Sequence, residues 1–544
     1  MDHQLTQELT HLLSVYEEET AKKKEKKSEP MIQVNEVIGY LAFIYEKTRN
    51  VVEFSEEHVL RKNTIRRILR RKLIETRDTN EVAAGLLREL VRYRHLENNA
   101  VPESRINDVA RPITRYKAAR EMIGNAGMSS EEARALRRFL IEVTVTEIDD
   151  MIVSKNIEYA FVNFGFNILN PMITLGGGVD ENFKSVQVFM ALLKSFVKLD
   201  DEMIVYHLMG VIFPDWFTLH DRLPGDIVQH LIKTKAAVDA HLQFPLRRKV
   251  LATVTKYSPY FNILRDSLLN DPKKFKELVE NPDPEQSDPF KKRPESLHDY
   301  LGNIIENRYA HIRSRLLTRS IRAFIYVLIT KVVIAFLVEV PADLFLQGHI
   351  NFLTLGINII FPLVLILLMT LTVRIPGKDN TEKLIAGIRD LIYTDADSDV
   401  FAEEKVVEVK QNGLANAVFM GLYALLSAAI YGVIIYWLIR FEFNIVSGFI
   451  FLLLTSVMSY FAVLIRQPVK QIRVVKTREN IFSFLINLLS LPILQVGRFL
   501  SENVSKINVF VYILDLLIEA PFQILIQVFE EWVEYLRGKR EEIY

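Results

Sequence analysis

Four long apolar runs between Ile321 and Ile465, with basic residues crowding only alternate ends, constrain this chain more than any other feature. They are Ile321–Val340, Asn351–Val373, Ala415–Ile439 and Asn444–Ile465. A helix rising about 1.5 Å per residue needs roughly 20 residues to cross about 30 Å of hydrocarbon, and each run is long enough. A single run could be a buried helix of a water-soluble domain. Four in succession predict a polytopic membrane protein.

Lys and Arg near the ends of the spans set the orientation. Arg308, Arg313, Arg315 and Arg319 precede the first run; the connection after it, with Glu339 and Asp343, has neither Lys nor Arg. Arg374, Lys378, Lys383 and Arg389 follow the second run, and Arg466, Lys470, Arg473, Lys476 and Arg478 follow the fourth. The third connection carries only Arg440, beside Glu442. The basic ends fall on the same side each time, which predicts a multi-pass protein of the cytoplasmic membrane with both termini in the cytoplasm. The start, Met1-Asp2-His3-Gln4, lacks the basic and apolar regions of a signal peptide, so the first run is expected to serve as its own insertion signal. With 0 cysteines there is neither a disulfide nor a thiolate metal site.

The expected fold class is all-α: a cytosolic helical domain, a membrane domain of four spans or six, and a C-terminal amphipathic hairpin. Residues 1–30 read as an N-terminal helix with a charged linker. Residues 31–280 form the cytosolic helical region, and 281–294 a proline-rich linker. Residues 295–320 form a juxtamembrane helix, and 321–466 the four spans with a cytosolic loop at 374–413. Residues 480–538 form the hairpin. Ser129 with Glu132 has capping-box spacing. Further helices are predicted at Phe183–Lys198, Glu202–Ile212, Asp226–His241 and Pro259–Leu269. After Pro294 the apolar spacing predicts one helix running from the cytosol into the first span.

Several motifs carry residue types that could support chemistry. Arg61, Lys62, Arg66, Arg67, Arg70, Arg71 and Lys72 crowd one predicted helix. They are candidates for contact with anionic lipid phosphates, against a solvated face paired with nearby acids; nucleic acid is disfavoured for a membrane-anchored chain. Asp395, Asp397 and Asp399 begin like a calcium loop, but Val400 and Val406 stand where glycine and the bidentate Glu are needed. Gly176-Gly177-Gly178 lacks the Lys and Ser/Thr of a phosphate loop, and the histidines lack metal-protease spacing. No cofactor is implied, and the balance leans away from an enzyme.

The membrane runs are more informative. Lys331 lies at the centre of the first, where a charge costs roughly 3 kcal/mol and faces a partner or water. Asn358 and Pro362 lie mid-run in the second. Beyond the fourth run, Asn508, Tyr512, Asp515, Glu519, Gln523, Gln527, Glu530 and Glu534 form one polar stripe. Two arrangements satisfy it. An interfacial hairpin gives four spans and is preferred, because Asp515 and Glu519 in mid-membrane would be costly. A further transmembrane hairpin gives six spans and offers Glu519 as a partner for Lys331.

The leading functional expectation is a non-enzymatic membrane protein whose cytosolic domain binds a partner or the bilayer surface. The alternative is an ion or small-solute channel or transporter, with Lys331, Asn358, Asp515 and Glu519 along a polar path. Assembly into a homo-oligomer is compatible with either.

Overall fold

The computed structural model describes residues 5–24, 29–34, 57–220, 222–282, 295–371, 375–394, 399–406, 413–475 and 481–504, with isolated positions at 40, 46, 373, 528, 532 and 535. Among them the chain is helical apart from one short parallel strand pair, in agreement with an all-α class. Two compact units emerge. One is built chiefly from Leu5–Thr255 with Ala402–Glu408, the other from Lys256–Phe401 with Val409–Asn508.

The first unit contains α1 (Gln7–Lys24), α2 (Glu57–Glu75), α3 (Thr79–Arg92), α4 (Arg105–Asn125), α5 (Ser130–Ile152) and α6 (Asn156–Met172). β1 (Ile173–Leu175) follows, then α7 (Glu181–Leu192), which runs into a π turn at Leu193–Val197. α8 (Asp201–Ile212) and α9 (Ile227–Leu242) complete it. Several of these helices start where a side-chain oxygen accepts from the free amides of the first turn. Asp78 accepts from the Asn80 amide at 2.9 Å, and Asp200 from that of Met203 at 2.8 Å. Ser129 and Glu132 form the expected capping box. Apolar residues at helical spacing then meet in one core: Ile65 and Leu69 of α2, Leu86 and Leu90 of α3, and Leu136 and Leu140 of α5 are all buried. Each such side chain contributes roughly 1.5–3 kcal/mol by leaving water.

The second unit opens within α10 (Arg247–Asn270), which carries Pro259 in its interior rather than at the start that the sequence suggests. Proline there costs about 3 kcal/mol. Tyr257, Tyr260 and Phe261, all buried, pack their rings on Phe401 at centroid distances of 5.4, 5.6 and 6.2 Å and hold the helix together across the proline. α11 (Pro272–Glu280) follows. The proline-rich linker expected at 281–294 lies almost entirely outside the described residues.

α12 (Leu297–Ile334) is one uninterrupted helix of 38 residues, opened by a Ser296–Asp299 capping box. At about 1.5 Å per residue it is about 57 Å long. It passes into a π turn (Ala335–Glu339) and then α13 (Val340–Leu346). α14 (Phe352–Leu371) and α15 (Lys378–Ile392) follow. β2 (Glu404–Val406) belongs to the first unit and pairs in parallel with β1, Ile173 opposite Glu404. α16 (Gly413–Arg440), α17 (Ile445–Lys470) and α18 (Ile481–Val504) complete the fold.

Three helical stretches are long and apolar enough to cross a membrane: Leu297–Leu346, Ala417–Arg440 and Ile445–Lys470. Shorter apolar stretches lie at Phe352–Leu368 and Leu488–Leu500. Their outward faces are large hydrophobics. Ile325, Ile329 and Leu337 project from the first stretch, and Phe419, Leu422 and Leu425 from α16. Monomeric water-soluble proteins rarely expose contiguous apolar patches of more than a few hundred Å². Such surface is what hydrocarbon solvates, which fits a membrane protein.

At one end of these helices Asn380 acts as a clamp. Its amide nitrogen donates to the Tyr309 hydroxyl at 2.9 Å and the Ile472 carbonyl at 3.0 Å, while its oxygen accepts from the Val474 and Val475 amides. One buried side chain thus ties α12, α15 and the exit of α17. Further along, α18 meets α17 at Gly497: a Cβ there would lie 1.9 Å from the Ser456 carbonyl oxygen. Only glycine permits that approach. Ser456 and Gly497 are nearly equidistant from the short connection between the helices, which makes α17 and α18 an antiparallel hairpin packed along its length.

Candidate functional site

The candidate site forms around Lys331 of α12, fully buried at 1% exposure. Its ammonium donates to Oδ1 of Asn358, on α14, at 2.8 Å. The Asn358 amide in turn donates to the Ser447 carbonyl of α17 at 3.2 Å. Pro362 adds to this point. Lacking an N–H, it cannot bond the carbonyl four residues back, which is that of Asn358, so α14 lacks one backbone hydrogen bond where it meets the lysine.

Glu339 is the second ionic member, also 1% exposed, with an oxygen 3.7 Å from the Lys331 nitrogen. Eight residues of regular α-helix, at about 3.6 per turn, would leave positions 331 and 339 about 80° apart around the axis. The intervening π turn takes more residues per turn and recovers much of that rotation, bringing both groups to one face. Neither carboxylate oxygen of Glu339 accepts a hydrogen bond among the described residues. At an effective dielectric constant of about 20 the pair attracts by about 4 kcal/mol. Removing both groups from water costs several kcal/mol each, so attraction alone does not explain their burial.

A chain of polar groups continues from the carboxylate end of the site. Asp343 of α13 accepts from the Asn351 amide at 3.2 Å and from the side chain of Asn444. Asn444 caps α17, its oxygen accepting from the Ser447 amide at 2.8 Å. Asp343, Asn444, Ser447, Asn358, Lys331 and Glu339 thus form one succession across three helices.

The structure therefore brings together Lys331 and Asn358, two of the polar residues singled out in the apolar runs, and adds Glu339, Asp343 and Asn444. Sequence reasoning assigns Glu339 and Asp343 to the connection between spans. The available signal was that each lies on one continuous helix with Lys331. Glu519, the partner that the sequence offers for Lys331, lies outside the described residues, as does Asp515.

The basic helix α2 is placed differently from a phosphate-facing surface. Arg61 is buried against Asp149 at 2.5 Å, and Lys62 against Asp200 and Glu202. Arg66 pairs with Glu142 and Glu202, Arg67 with Glu46 at 2.7 Å, and Arg71 and Lys72 with Glu89. Burial alone would raise the Glu46 carboxyl, but His95, Arg67 and Thr64 outweigh it and hold it well below the usual carboxylate range. Arg70 alone of the seven is exposed. Of the aspartates at the abandoned calcium pattern, Asp395 and Asp397 lie outside the described residues, and Asp399 sits in a short 3₁₀ turn. No cluster of metal-ligating side chains occurs among the described residues.

A second buried polar group lies in the first unit. His207 of α8 stands 3.3 Å from the Tyr159 hydroxyl, which donates to Asp150. Burial, with the charge of Lys155 nearby, pushes the His207 imidazole down to about 3.

No protein-family model, curated protein or solved structure matches this chain.

Proposed function

We propose that this protein carries protons across the membrane through the Lys331–Asn358–Glu339 site. The observation behind this reading is a fully buried ammonium and carboxylate 3.7 Å apart, the ammonium held by Asn358 four residues before Pro362, with the carboxylate oxygens accepting no hydrogen bond among the described residues. Ionisable groups inside a bilayer are costly, and their common uses are proton relays and ion pathways. A π turn between the two is a frequent mark of a functional site. Titratable groups at these separations pass protons with small side-chain movements.

In this reading the N-terminus is cytoplasmic, and Glu339, Asp343 and Asn444 mark the outer end of the path. Six spans are favoured over four. The tight packing of α18 along α17 at Gly497 supports a further transmembrane pair over an interfacial hairpin. The first unit is then a cytosolic module for a ligand or partner, attached to the carrier.

The test is a proton-flux assay on purified protein in liposomes under an imposed pH gradient. Flux above that of protein-free liposomes, insensitive to replacing potassium by sodium, is expected. Flux equal to that of protein-free liposomes contradicts the proposal.

A further inference from the structure

We infer that a groove between α2, α4 and α5 in the first unit is a binding site for a phosphoryl group. The groove encloses about 540 Å³ and is walled by Leu73, Tyr116, Lys117, Arg120, Glu121 and Arg137. It is independent of the membrane site.

The local sequence explains how it forms. Tyr116, Arg120 and Gly124 are spaced four apart on α4, so they share one face. Tyr116 forms the floor, with its ring buried. At Gly124 a Cβ would come within 3.1 Å of the Arg137 guanidinium, so glycine leaves the seat that the guanidinium occupies.

What separates these cations from the other basic residues of α2 is their lack of carboxylate partners. Arg61, Lys62, Arg66, Arg67, Arg71 and Lys72 all face carboxylates. Arg70, Arg120 and Arg137 face none among the described residues, and the Arg137 Nε is buried without a hydrogen-bond partner. Lys117 donates one N–H to the Arg77 carbonyl at 2.9 Å, leaving two. The acids nearby do not balance this charge. Glu142 is taken by Arg66, and Glu121 stands exposed.

Guanidinium groups match the oxygens of a phosphoryl group with paired N–H donors, so Arg120 and Arg137, with the Lys117 ammonium, around one groove fit a dianion. The Tyr116 hydroxyl adds a donor, and Leu73 offers an apolar wall to whatever carries the phosphoryl group. The volume suits a small phosphorylated molecule or a phosphomonoester lipid headgroup.

Calorimetric titration of pyrophosphate into the full chain, held in phosphatidylcholine nanodiscs at low ionic strength, tests this. Saturable binding is expected, weakened by roughly tenfold or more in Arg120→Gln/Arg137→Gln, since each lost charged hydrogen bond carries about that factor. Arg120 is exposed, so the single Arg120→Gln variant is expected to keep the wild-type melting temperature and still bind more weakly. Lys194→Gln, which removes an ion pair with Asp201 elsewhere, is expected to leave binding unchanged. Nanodiscs doped with phosphatidic acid separate the two sources. Competition with pyrophosphate assigns the groove to a lipid headgroup, and undiminished pyrophosphate binding assigns it to a soluble phosphate. Absence of saturable binding in wild type, or equal binding by the double variant, overturns the inference.

Discussion

Lys331 is the residue on which the membrane site turns, and its energetics give the sharpest test of the pairing. Removing one member of a buried ion pair strands the other, at a cost of about 3–5 kcal/mol. Lys331→Met is therefore expected to lower thermal stability in detergent, and Lys331→Met/Glu339→Gln to recover most of the loss. A double variant as unstable as the single would show that the two groups are not coupled. His207 gives a second test. Its folded-state value, pushed down to about 3, lies below its ordinary value near 6.5, so the unfolded chain binds the proton more readily. The contribution of His207 is therefore present above pH 6.5 and is lost progressively as pH falls toward 3. The slope is at most about 1.4 kcal/mol per pH unit. His241 is shifted the same way by burial, while Glu142 and Glu147 are raised, so only a comparison isolates His207. Denaturant midpoints measured from pH 7 to 4.5 are expected to fall less steeply in His207→Gln than in wild type; parallel curves would contradict this. At this scale the sequence marks Lys331 and Asn358 because polarity in an apolar run is conspicuous. It does not mark Glu339, because which charges meet depends on a π turn that no spacing rule anticipates.

Helices were legible where one strong local signal sets them. The Ser129 capping box, the long α12 and three of the four expected apolar stretches follow from spacing and caps alone, while the second, Phe352–Leu368, is shorter than expected. The fate of α2 was not legible. Its row of cations is local, but the carboxylates of Asp149, Asp200, Glu202 and Glu89 that receive them come from other helices. Nor does sequence reveal which glycine sits at a helix contact. Gly497 does, and a side chain there must displace the α17 backbone. Gly497→Leu is expected to cost about 1–3 kcal/mol or more through overpacking. It should also separate α18 from α17, read as loss of crosslinking between a cysteine pair introduced at neighbouring positions of the two helices. Unchanged stability and crosslinking would show that α18 is not seated as described.

For the whole molecule, the alternating basic ends predict a helical front and a membrane back, and the fold has helices throughout its described residues with three long and apolar enough to cross a membrane. Sequence leaves the number of spans between four and six, because a polar stripe on an apolar helix suits the interface and a polar interior equally. The protein has 0 cysteines, so single introduced cysteines report without background. A cysteine replacing Leu489, at 48% exposure on α18, is expected to resist a membrane-impermeant maleimide from both sides and to react after detergent is added. Ready labelling from the cytoplasmic side would return α18 to the interface. The central claim is that the buried pair moves protons rather than merely joining helices. The measurement that tests it most directly is proton flux in liposomes for wild type and for the refolded, stable Lys331→Met/Glu339→Gln variant. Flux in wild type and none in the variant is predicted; equal flux in both would contradict the account.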